Sequence, residues 1–292
     1  WTSLGGLIDR SNWMSDITQL NAGLTKLRIS RLQYMLTNGD ESAAQNVQGT
    51  LDEFSAQQQA LLKSFKSPDN LKLLREQGTT IAAYQQSLNK MRSAYRDGNA
   101  ARQVMGQNAE TANSLIEAIS TQVKQMPLSD QRFEQFQTIT QAREAFLLAR
   151  YEVRGYTADT KAETEQKALN QLNLAIASLK DLNSHFADTQ QVALQQLESA
   201  LLNYRAALQA YKAAYSQAVD ARAEMTVQGA DIVKISDRLY QVQLDRRDSE
   251  SAQARSLQLV STLLALLVGI LAAVVITRQI TRPLRETLAV VE

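Results

Sequence analysis

The sequence predicts an all-α protein in which two stacked four-helix bundles share two long helices and are followed by a transmembrane helix. Three observations support this fold class. Apolar residues recur at heptad spacing through most of the 292 residues, glycine and proline are rare at 11 and 3 residues, and one continuous apolar run lies near the C-terminus. The three prolines, Pro68, Pro127 and Pro283, fall where the apolar periodicity breaks.

Composition argues against several functional classes. The chain has no cysteine, which removes disulfides, thiolate chemistry and cysteine-ligated metals. Its net charge is +1 with basic and acidic residues interleaved, so no cationic face for nucleic acid is expected. His185 is the only histidine, and we find no nucleophile paired with a base, no glycine-rich phosphate loop and no paired acids. We therefore expect no enzyme, no metal or other cofactor, and no nucleic-acid partner.

Turn-forming segments divide the apolar repeats into six predicted helices. Helix 1 runs from about Ile8 to Leu36, and helices 2 to 5 end near Lys66, Met126, Gly155 and Ser184. Helix 6 begins near Asp188 and is expected to run without a stop signal into the membrane. Two short helices and a long one therefore occur twice.

The residues themselves also repeat, which indicates a duplicated unit. In the two long helices, six residues recur at an offset of 120, and Arg31 of helix 1 corresponds to Arg150 of helix 4 at nearly the same offset. The six pairs are Tyr84 and Tyr204, Leu88 and Leu208, Ala94 and Ala214, Tyr95 and Tyr215, Arg102 and Arg222, and Met105 and Met225.

This repeat predicts two modules if helix 2 continues upward from helix 1, and helix 5 from helix 4. The expected membrane-proximal module then combines helices 1 and 4 with half of each long helix, at about 8–38, 98–157 and 216–255. The expected distal module comprises about 40–97 and 160–215.

Arginines in core positions form the predicted binding site. Arg222 takes a heptad slot that Leu194, Leu201, Leu208 and Tyr215 fill in the preceding repeats, and a charge there is costly unless an anion meets it. One such arginine lies on each helix of the predicted proximal module, so we expect all four to converge on a carboxylate, which the planar guanidinium binds well. Arg28, one turn from Arg31, could add a contact across a dimer interface. The predicted site residues are Arg28, Arg31, Arg102, Arg150 and Arg222.

An ordinary structural explanation remains for these arginines. Each could extend into solvent or pair with a nearby acid, namely Glu144, Glu152, Asp220 or Glu224. These acids do not occupy equivalent positions in the two repeats, which favours the ligand site.

A tyrosine stripe lines the two long helices in the predicted distal module. Such a stripe is typical of a plain core, although phenol hydroxyls need partners and could hold a small polar ligand. The residues considered for a second site are Tyr84, Tyr95, Tyr204, Tyr211 and Tyr215.

The apolar run predicts one membrane span at about 256–277. Leu257 to Ile276 is twenty residues long, which spans a hydrocarbon core of about 30 Å. Arg278, Arg282 and Arg285 follow it whereas only Arg255 precedes it closely, so the C-terminal side is expected in the cytoplasm and residues 1–255 in the periplasm of a bacterial inner membrane. A first span is expected to precede Trp1.

The layout resembles a known family. Ile280-Thr281-Arg282-Pro283-Leu284 is similar to the opening of a HAMP linker, so 278–292 would be its start. The doubled short, short, long pattern resembles the helical bimodular sensor domain of bacterial methyl-accepting chemoreceptors of the McpS type.

That resemblance implies ligands and site residues. A C4 dicarboxylate (malate, succinate or fumarate) or another tricarboxylic-acid-cycle acid of the citrate class would bind the proximal module, with acetate a candidate for the distal one. In this family, arginines of the first and last helices serve the proximal site, here Arg28, Arg31 and Arg222. Arg102 and Arg150 rest on the repeat alone. Some relatives bind cationic amines, so ligand identity stays open.

The expected function is therefore carboxylate sensing that moves helix 6 against helix 1 across the membrane. Expected partners are a second copy, through helix 1, and cytoplasmic signalling proteins, through an output domain outside this sequence. The input domain of a histidine kinase and a non-sensing helical spacer remain alternatives.

Overall fold

The computed structural model describes residues 2–186, 190–248 and 255–291, with side chains described for 13–186, 190–245 and 258–280. Within these ranges the protein is entirely helical, which confirms the predicted fold class. The helices are α1 (Thr2–Met35), α2 (Glu41–Ser64), α3 (Pro68–Lys124), α4 (Asp130–Asp159), α5 (Ala162–His185), α6 (Gln191–Asp248) and α7 (Arg255–Val291).

Helix ends lie where the sequence supplies capping residues. The Asp40 carboxylate accepts a hydrogen bond from the Ala43 N–H at 3.3 Å, and the Ser129 hydroxyl accepts one from the Arg132 N–H at 3.1 Å. Pro68 is the first residue of α3, where its missing N–H is not needed. Gly39 adopts a φ of 84° in the turn before α2, and a side chain there would collide with Tyr95.

The first of two compact units comprises residues 1–95 and 217–292. Its core lies between α1, α2, the first part of α3 and the last part of α6. Each of these helices contributes fully buried apolar residues along one stripe, and together they form the core of a four-helix bundle. Central members are Ile17, Leu20, Leu51, Phe54, Leu74, Leu88 and Ile232. We call this part unit 1.

The second unit comprises residues 96–216 and is called unit 2. It combines the last part of α3, α4, α5 and the first part of α6. Its core is rich in alanine and leucine and includes aromatic rings, of which those of Phe146 and Tyr204 have centroids 5.9 Å apart. Other central members are Ile116, Ile139, Leu172 and Leu197.

The predicted composition of the two modules is wrong. α2 does not continue upward from α1 but folds back along it: Ser30 lies 2.7 Å from Thr50, and nearer the start of α1 Trp13 packs on Phe65. α5 likewise folds back on α4, since Gln135 near the start of α4 donates to the carbonyl of His185 at the end of α5. Short helix connections favour such antiparallel neighbours, and heptad spacing alone does not reveal the direction of the turn.

The apolar run forms a candidate membrane span, Gln258–Ile280, of 23 residues. The sequence predicted that α6 would run straight into it. Instead, α7 is a separate helix that lies back along α6 and α1: the Tyr240 hydroxyl donates to the Ser261 carbonyl, and Gln33 donates to Gln279. Without a bilayer, an apolar helix lowers its free energy by packing against protein. Only 6 % of the most apolar stretch of this span is buried, so most of its surface remains available to lipid.

Some predictions near the C-terminus fall outside the described residues. Residues 249–254, between α6 and α7, lie outside them, as do the side chains of Arg282 and Arg285 and most of the motif similar to a HAMP linker. The backbone of α7 continues through Pro283, where a break was predicted.

Candidate functional site

Two of the five predicted arginines, Arg28 and Arg31, lie between α1 and α6 in unit 1, and Arg222 lies on the same face of α6 as Gly229. The helices are antiparallel there. Arg31 lies opposite Gly229, and Arg28, one turn earlier on α1, shares a cleft with Asp237 and other residues further along α6. We define the α1–α6 groove by Arg28, Arg31, Arg222 and Gly229.

Arg31 is the central residue of this groove. It is half-buried, and its Nη1 lies 3.7 Å from the position that a Cβ on Gly229 would take. The ring of Tyr84 on α3 lies 3.9 Å from that same position. The guanidinium therefore lies against bare helix backbone, with an aromatic ring beside it.

Arg222 lies on the same face of α6, seven residues before Gly229 and thus about 10.5 Å along the helix. It is exposed, so its predicted core position is wrong. The core stripe of α6 shifts by one residue at this point, because Ala221 is fully buried whereas Tyr215 is 39 % exposed. The guanidinium of Arg222 is consequently available to a ligand at little desolvation cost.

Arg28 lines a cleft of about 220 Å³ whose third wall is α7. Asp237 and Tyr240 of α6 and Leu264 of α7 also line it. Because α7 is the candidate membrane span, this wall would be withdrawn on insertion into a bilayer. Arg28 is therefore a flanking member of the groove.

No ordinary ion pair neutralises the predicted arginines within the part of the chain that the structure describes. Glu224, one of the acids considered as a partner of Arg222, instead accepts hydrogen bonds from Lys90 at 3.0 Å and Ser87 at 3.1 Å on α3. The Lys90 hydrogen bond, with a smaller contribution from Ser87, lowers the pKa of Glu224, so this carboxylate of α6 stays ionised and bonded to α3. For the described residues, structural ion pairing does not explain these arginines.

The other two arginines, Arg102 and Arg150, lie in unit 2, so the predicted convergence of four arginines on one level is wrong. Arg102 is exposed and already has partners: its Nη2 donates to the Thr157 carbonyl at 3.3 Å and to the Tyr211 hydroxyl at 3.4 Å. Its guanidinium also lies 5.3 Å from the centre of the Tyr211 ring. Arg150 is half-buried and lies over Phe146 at 6.0 Å.

The predicted tyrosine site is also divided between the units. Tyr84 and Tyr95 lie in unit 1, where Tyr95 packs edge-on against Tyr34 at 6.2 Å. Tyr204, Tyr211 and Tyr215 lie in unit 2. The five tyrosines therefore do not form one site.

Comparison with known proteins gives the family. A family model described as a helical bimodular sensor domain matches residues 1–254. The chain belongs to the helical bimodular sensor domain family.

Two curated relatives carry this domain in chemotaxis receptors of Pseudomonas putida. The methyl-accepting chemotaxis protein McpS is 55 % identical over the whole of this chain, and McpQ is 31 % identical over the whole chain. The chain covers 46 % of McpS and 45 % of McpQ, so it spans about half the length of these relatives.

Within this bimodular domain, the sequence repeat places equivalent side chains in the two units. Arg31 beside Tyr84 in unit 1 corresponds to Arg150 near Tyr204 in unit 2, and both arginines lower the pKa of the adjacent tyrosine against the larger effect of burial. The net effect raises the pKa of Tyr204 to about 12 and that of Tyr84 further still. Both phenols therefore stay neutral at physiological pH and can donate a hydrogen bond.

The equivalence ends at the second arginine of each unit. Arg102 in unit 2 bonds to Tyr211, whereas the residue that corresponds to Tyr211 in unit 1, 120 positions earlier, is Met91. Methionine offers no hydroxyl, so Arg222 lacks the hydrogen bond that its counterpart makes. The duplicated scaffold thus uses this arginine internally in unit 2 and leaves it available in unit 1.

Sequence reasoning overlooked Gly229 as part of the site. The sequence contained a signal for this residue: Gly229 occupies a heptad position inside a long helix, where glycine costs about 1 kcal/mol of stability relative to alanine. Its counterpart in unit 2, again 120 positions earlier, is Ala109, which is buried.

Among the residues that the structure describes, no group of three or more His, Cys, Asp or Glu side chains is arranged to hold a metal ion. His185 lies at the end of α5, where its Nδ1 is 2.8 Å from the Asp181 carbonyl.

Proposed function

We propose that this chain is the sensing part of a chemoreceptor and that it binds a small dicarboxylate in the α1–α6 groove. The observation that carries the proposal is that Arg31 lies against Gly229 of α6, that Arg222 lies on the same face of α6, and that neither has an acidic partner among the described residues. A dianion such as malate, succinate or fumarate, or the larger citrate, matches this charge. Membership of a sensor-domain family supports the same reading.

The energetics favour an anion at this position. Hydrogen bonds to a charged group contribute about 1.5–3 kcal/mol each, and a guanidinium can make two of them to one carboxylate. Arg31 is half-buried, so it already bears part of its desolvation cost in the empty protein, and a carboxylate would offset that cost.

Binding would connect two helices that carry the signal. Arg31 belongs to α1, and Arg222 belongs to α6, which precedes the candidate span. A diacid held by both arginines would favour one position of α6 relative to α1, and only such differential binding can shift a conformational equilibrium. The sensor would lie in the periplasm and pass this change through the inner membrane.

A second copy of the chain is the expected partner along α1. Leu32 and Met35 are half-buried at the edge of the bundle beside Arg28, and insertion of α7 into a bilayer would uncover more of this face. Arg28 would then lie at the subunit interface. Sedimentation velocity with and without malate measures this association, and a monomer unchanged by saturating ligand would contradict it.

Unit 2 is proposed as a second site for a monocarboxylate such as acetate. Arg150 is half-buried, makes no ion pair within the described residues and lies close enough to Tyr204 to lower its pKa. The guanidinium of Arg150 and the phenol of Tyr204 could both donate hydrogen bonds to a single carboxylate. Arg102 and Tyr211 are less suited, because they already bond to each other.

Calorimetric titration of the whole chain in nanodiscs tests the proposed function. Malate, succinate and citrate should bind, whereas succinamide, which has the shape of succinate without its charges, should not. At 100 times its dissociation constant the acid should stabilise the protein by about 2.7 kcal/mol. Equal binding of succinamide, or no binding of any acid, would contradict carboxylate sensing and favour a helical spacer.

A histidine kinase with the same input domain is the remaining alternative. It predicts the same binding behaviour, so ligand binding does not distinguish the two, and the output activity of the full-length protein decides between them.

A further inference from the structure

Tyr84 is placed to act in the arginine groove of unit 1 rather than in a separate tyrosine site. It belongs to α3, is only 1 % exposed, and its ring edge lies beside the same Gly229 position that Arg31 approaches. No described residue makes a hydrogen bond to its hydroxyl.

Gly229 allows the two side chains to meet. A Cβ at this position would lie 3.7 Å from Nη1 and 3.8 Å from Cζ of Arg31, and 3.9 Å from Cε2 of Tyr84. These are ordinary contact distances, so one methyl group would fit, as the equivalent Ala109 in unit 2 indicates. A longer side chain would take the space that the guanidinium occupies.

We propose that Tyr84 is a ligand-contacting residue of the α1–α6 groove, and that Gly229 is the positioning residue that lets Arg31 lie beside it. The phenol supplies an uncharged donor to the same carboxylate that Arg31 binds. This inference rests on the proposed function, since it assigns two further residues to that site.

The chemistry of the pair suits a carboxylate. Arg31 supplies charge and up to two parallel N–H groups, and Tyr84 supplies one O–H directed from another helix. Its ionisation does not interfere at physiological pH, because burial keeps the phenol neutral. A carboxylate bound by both would connect α3 with α1, in addition to the connection from α1 to α6.

Tyr84→Phe tests the ligand contact because it removes only the hydroxyl. In calorimetric titrations of the whole chain in nanodiscs, the dissociation constants for malate and for succinate should rise about five- to tenfold, as expected for one lost hydrogen bond. The melting temperature of the empty protein should stay within about one degree, since no described partner is lost. Tyr156→Phe, at a buried tyrosine of unit 2 that belongs to neither proposed site, is the matched control and should leave both constants within about twofold.

Two substitutions at Gly229 test the positioning role. Gly229→Ala should bind malate within about twofold of the wild type, because a methyl fits at contact distance. Gly229→Leu should lose as much affinity as Arg31→Met while the circular dichroism of the empty protein stays helical. A structural role alone would lower the melting temperature without this match to Arg31→Met.

The outcomes separate this inference from the function on which it rests. If Arg31→Met abolishes binding while Tyr84→Phe and Gly229→Leu bind as the wild type does, the arginine site stands and the inference is wrong. If the wild type binds no acid, both are wrong.

Discussion

The cores of the two units differ in polarity although one repeat built both. Among the described side chains of the bundle helices, two buried polar residues lie in unit 2, Ser120 and Gln135. In unit 1 there are seven, namely Ser30, Gln58, Asn70, Gln77, Ser87, Ser236 and Gln243. Equivalent helices thus enclose a mostly apolar core in unit 2 and a more polar core in unit 1.

The polar groups of unit 1 are incompletely satisfied. Gln77 donates to the Ile232 carbonyl at 3.1 Å and to the Ser236 hydroxyl at 2.7 Å, and Gln58 donates to the Leu74 carbonyl. The side-chain oxygens of both glutamines are buried and accept no hydrogen bond from the described residues, as is also true of the Asn70 amide. Each such group costs about 1–3 kcal/mol.

This difference predicts that the two units differ in stability and in how readily their helices rearrange. An apolar core packs well in one arrangement, whereas amides that bond to carbonyls and hydroxyls of a neighbouring helix can exchange acceptors when that helix moves. Gln77 already bonds to two acceptors one turn apart on α6. Unit 1, which carries the arginine groove and the candidate span, is therefore expected to be the less stable and more readily rearranged unit.

The largest expected effect comes from cavities in the two cores. Phe146→Ala in unit 2 should cost about 3–5 kcal/mol of unfolding free energy, because its ring is fully enclosed in a close-packed apolar core. Phe54→Ala in unit 1, whose ring is also fully buried, should cost less because the surrounding core can relax. Hydrogen exchange resolved by unit measures both losses. An equal or greater loss for Phe54→Ala would remove the distinction between the cores.

Alkaline pH gives the next largest effect and acts on buried tyrosines. Burial raises the pKa of Tyr204 from about 10 to about 12. The unfolded chain therefore loses this proton first, and stability falls as pH rises above 10, by at most about 2–3 kcal/mol at pH 12 from this residue. Tyr204→Phe should make unfolding less sensitive to alkali in urea titrations at pH 9 and pH 11. Unchanged sensitivity would mean that the phenol is hydrated in the folded protein.

The smallest effect, and the one with opposite signs in the two units, concerns single glutamines. Gln77→Leu should be neutral or stabilise by about 1 kcal/mol, because it removes an unsatisfied oxygen and Ser236 can bond to its own helix. Gln135→Leu also removes a buried unsatisfied oxygen, but it should destabilise by a similar amount because the His185 carbonyl at the end of α5, where carbonyls lack intrahelical partners, loses its donor. Urea denaturation measures both changes, and a loss of stability in Gln77→Leu would contradict the view of unit 1 as imperfectly packed.

The sequence predicted the helices well because their ends depend on local residues. Asp40, Pro68 and Ser129 lie at or next to the predicted turns, and each acts within a few residues of itself. The partners of each helix depend on the direction of a turn, which heptad spacing does not encode. For that reason, the two short helices of each half were assigned to different modules, although they pack against each other.

The candidate site was predicted in part. The resemblance placed Arg28, Arg31 and Arg222 together, and the structure places these three in unit 1. The repeat relates Arg31 to Arg150 and Arg102 to Arg222. Because each unit is one copy of the repeat, the members of each pair lie in different units and do not converge on one site. The one-residue shift of the core stripe at Ala221, which exposes Arg222, depends on packing that the heptad pattern does not show.

The arginines of the two units provide the most direct test of the central claim that the α1–α6 groove binds the dicarboxylate. Four methionine variants of the whole chain, at Arg31, Arg222, Arg102 and Arg150, keep the aliphatic bulk and remove the charge. Calorimetric titration with succinate should show at least a tenfold loss of affinity for Arg31→Met and for Arg222→Met, as expected for lost hydrogen bonds to a charged group. Arg102→Met and Arg150→Met should stay within about twofold of the wild type. Loss of succinate binding in the unit 2 variants, with normal binding in the unit 1 variants, would contradict the account.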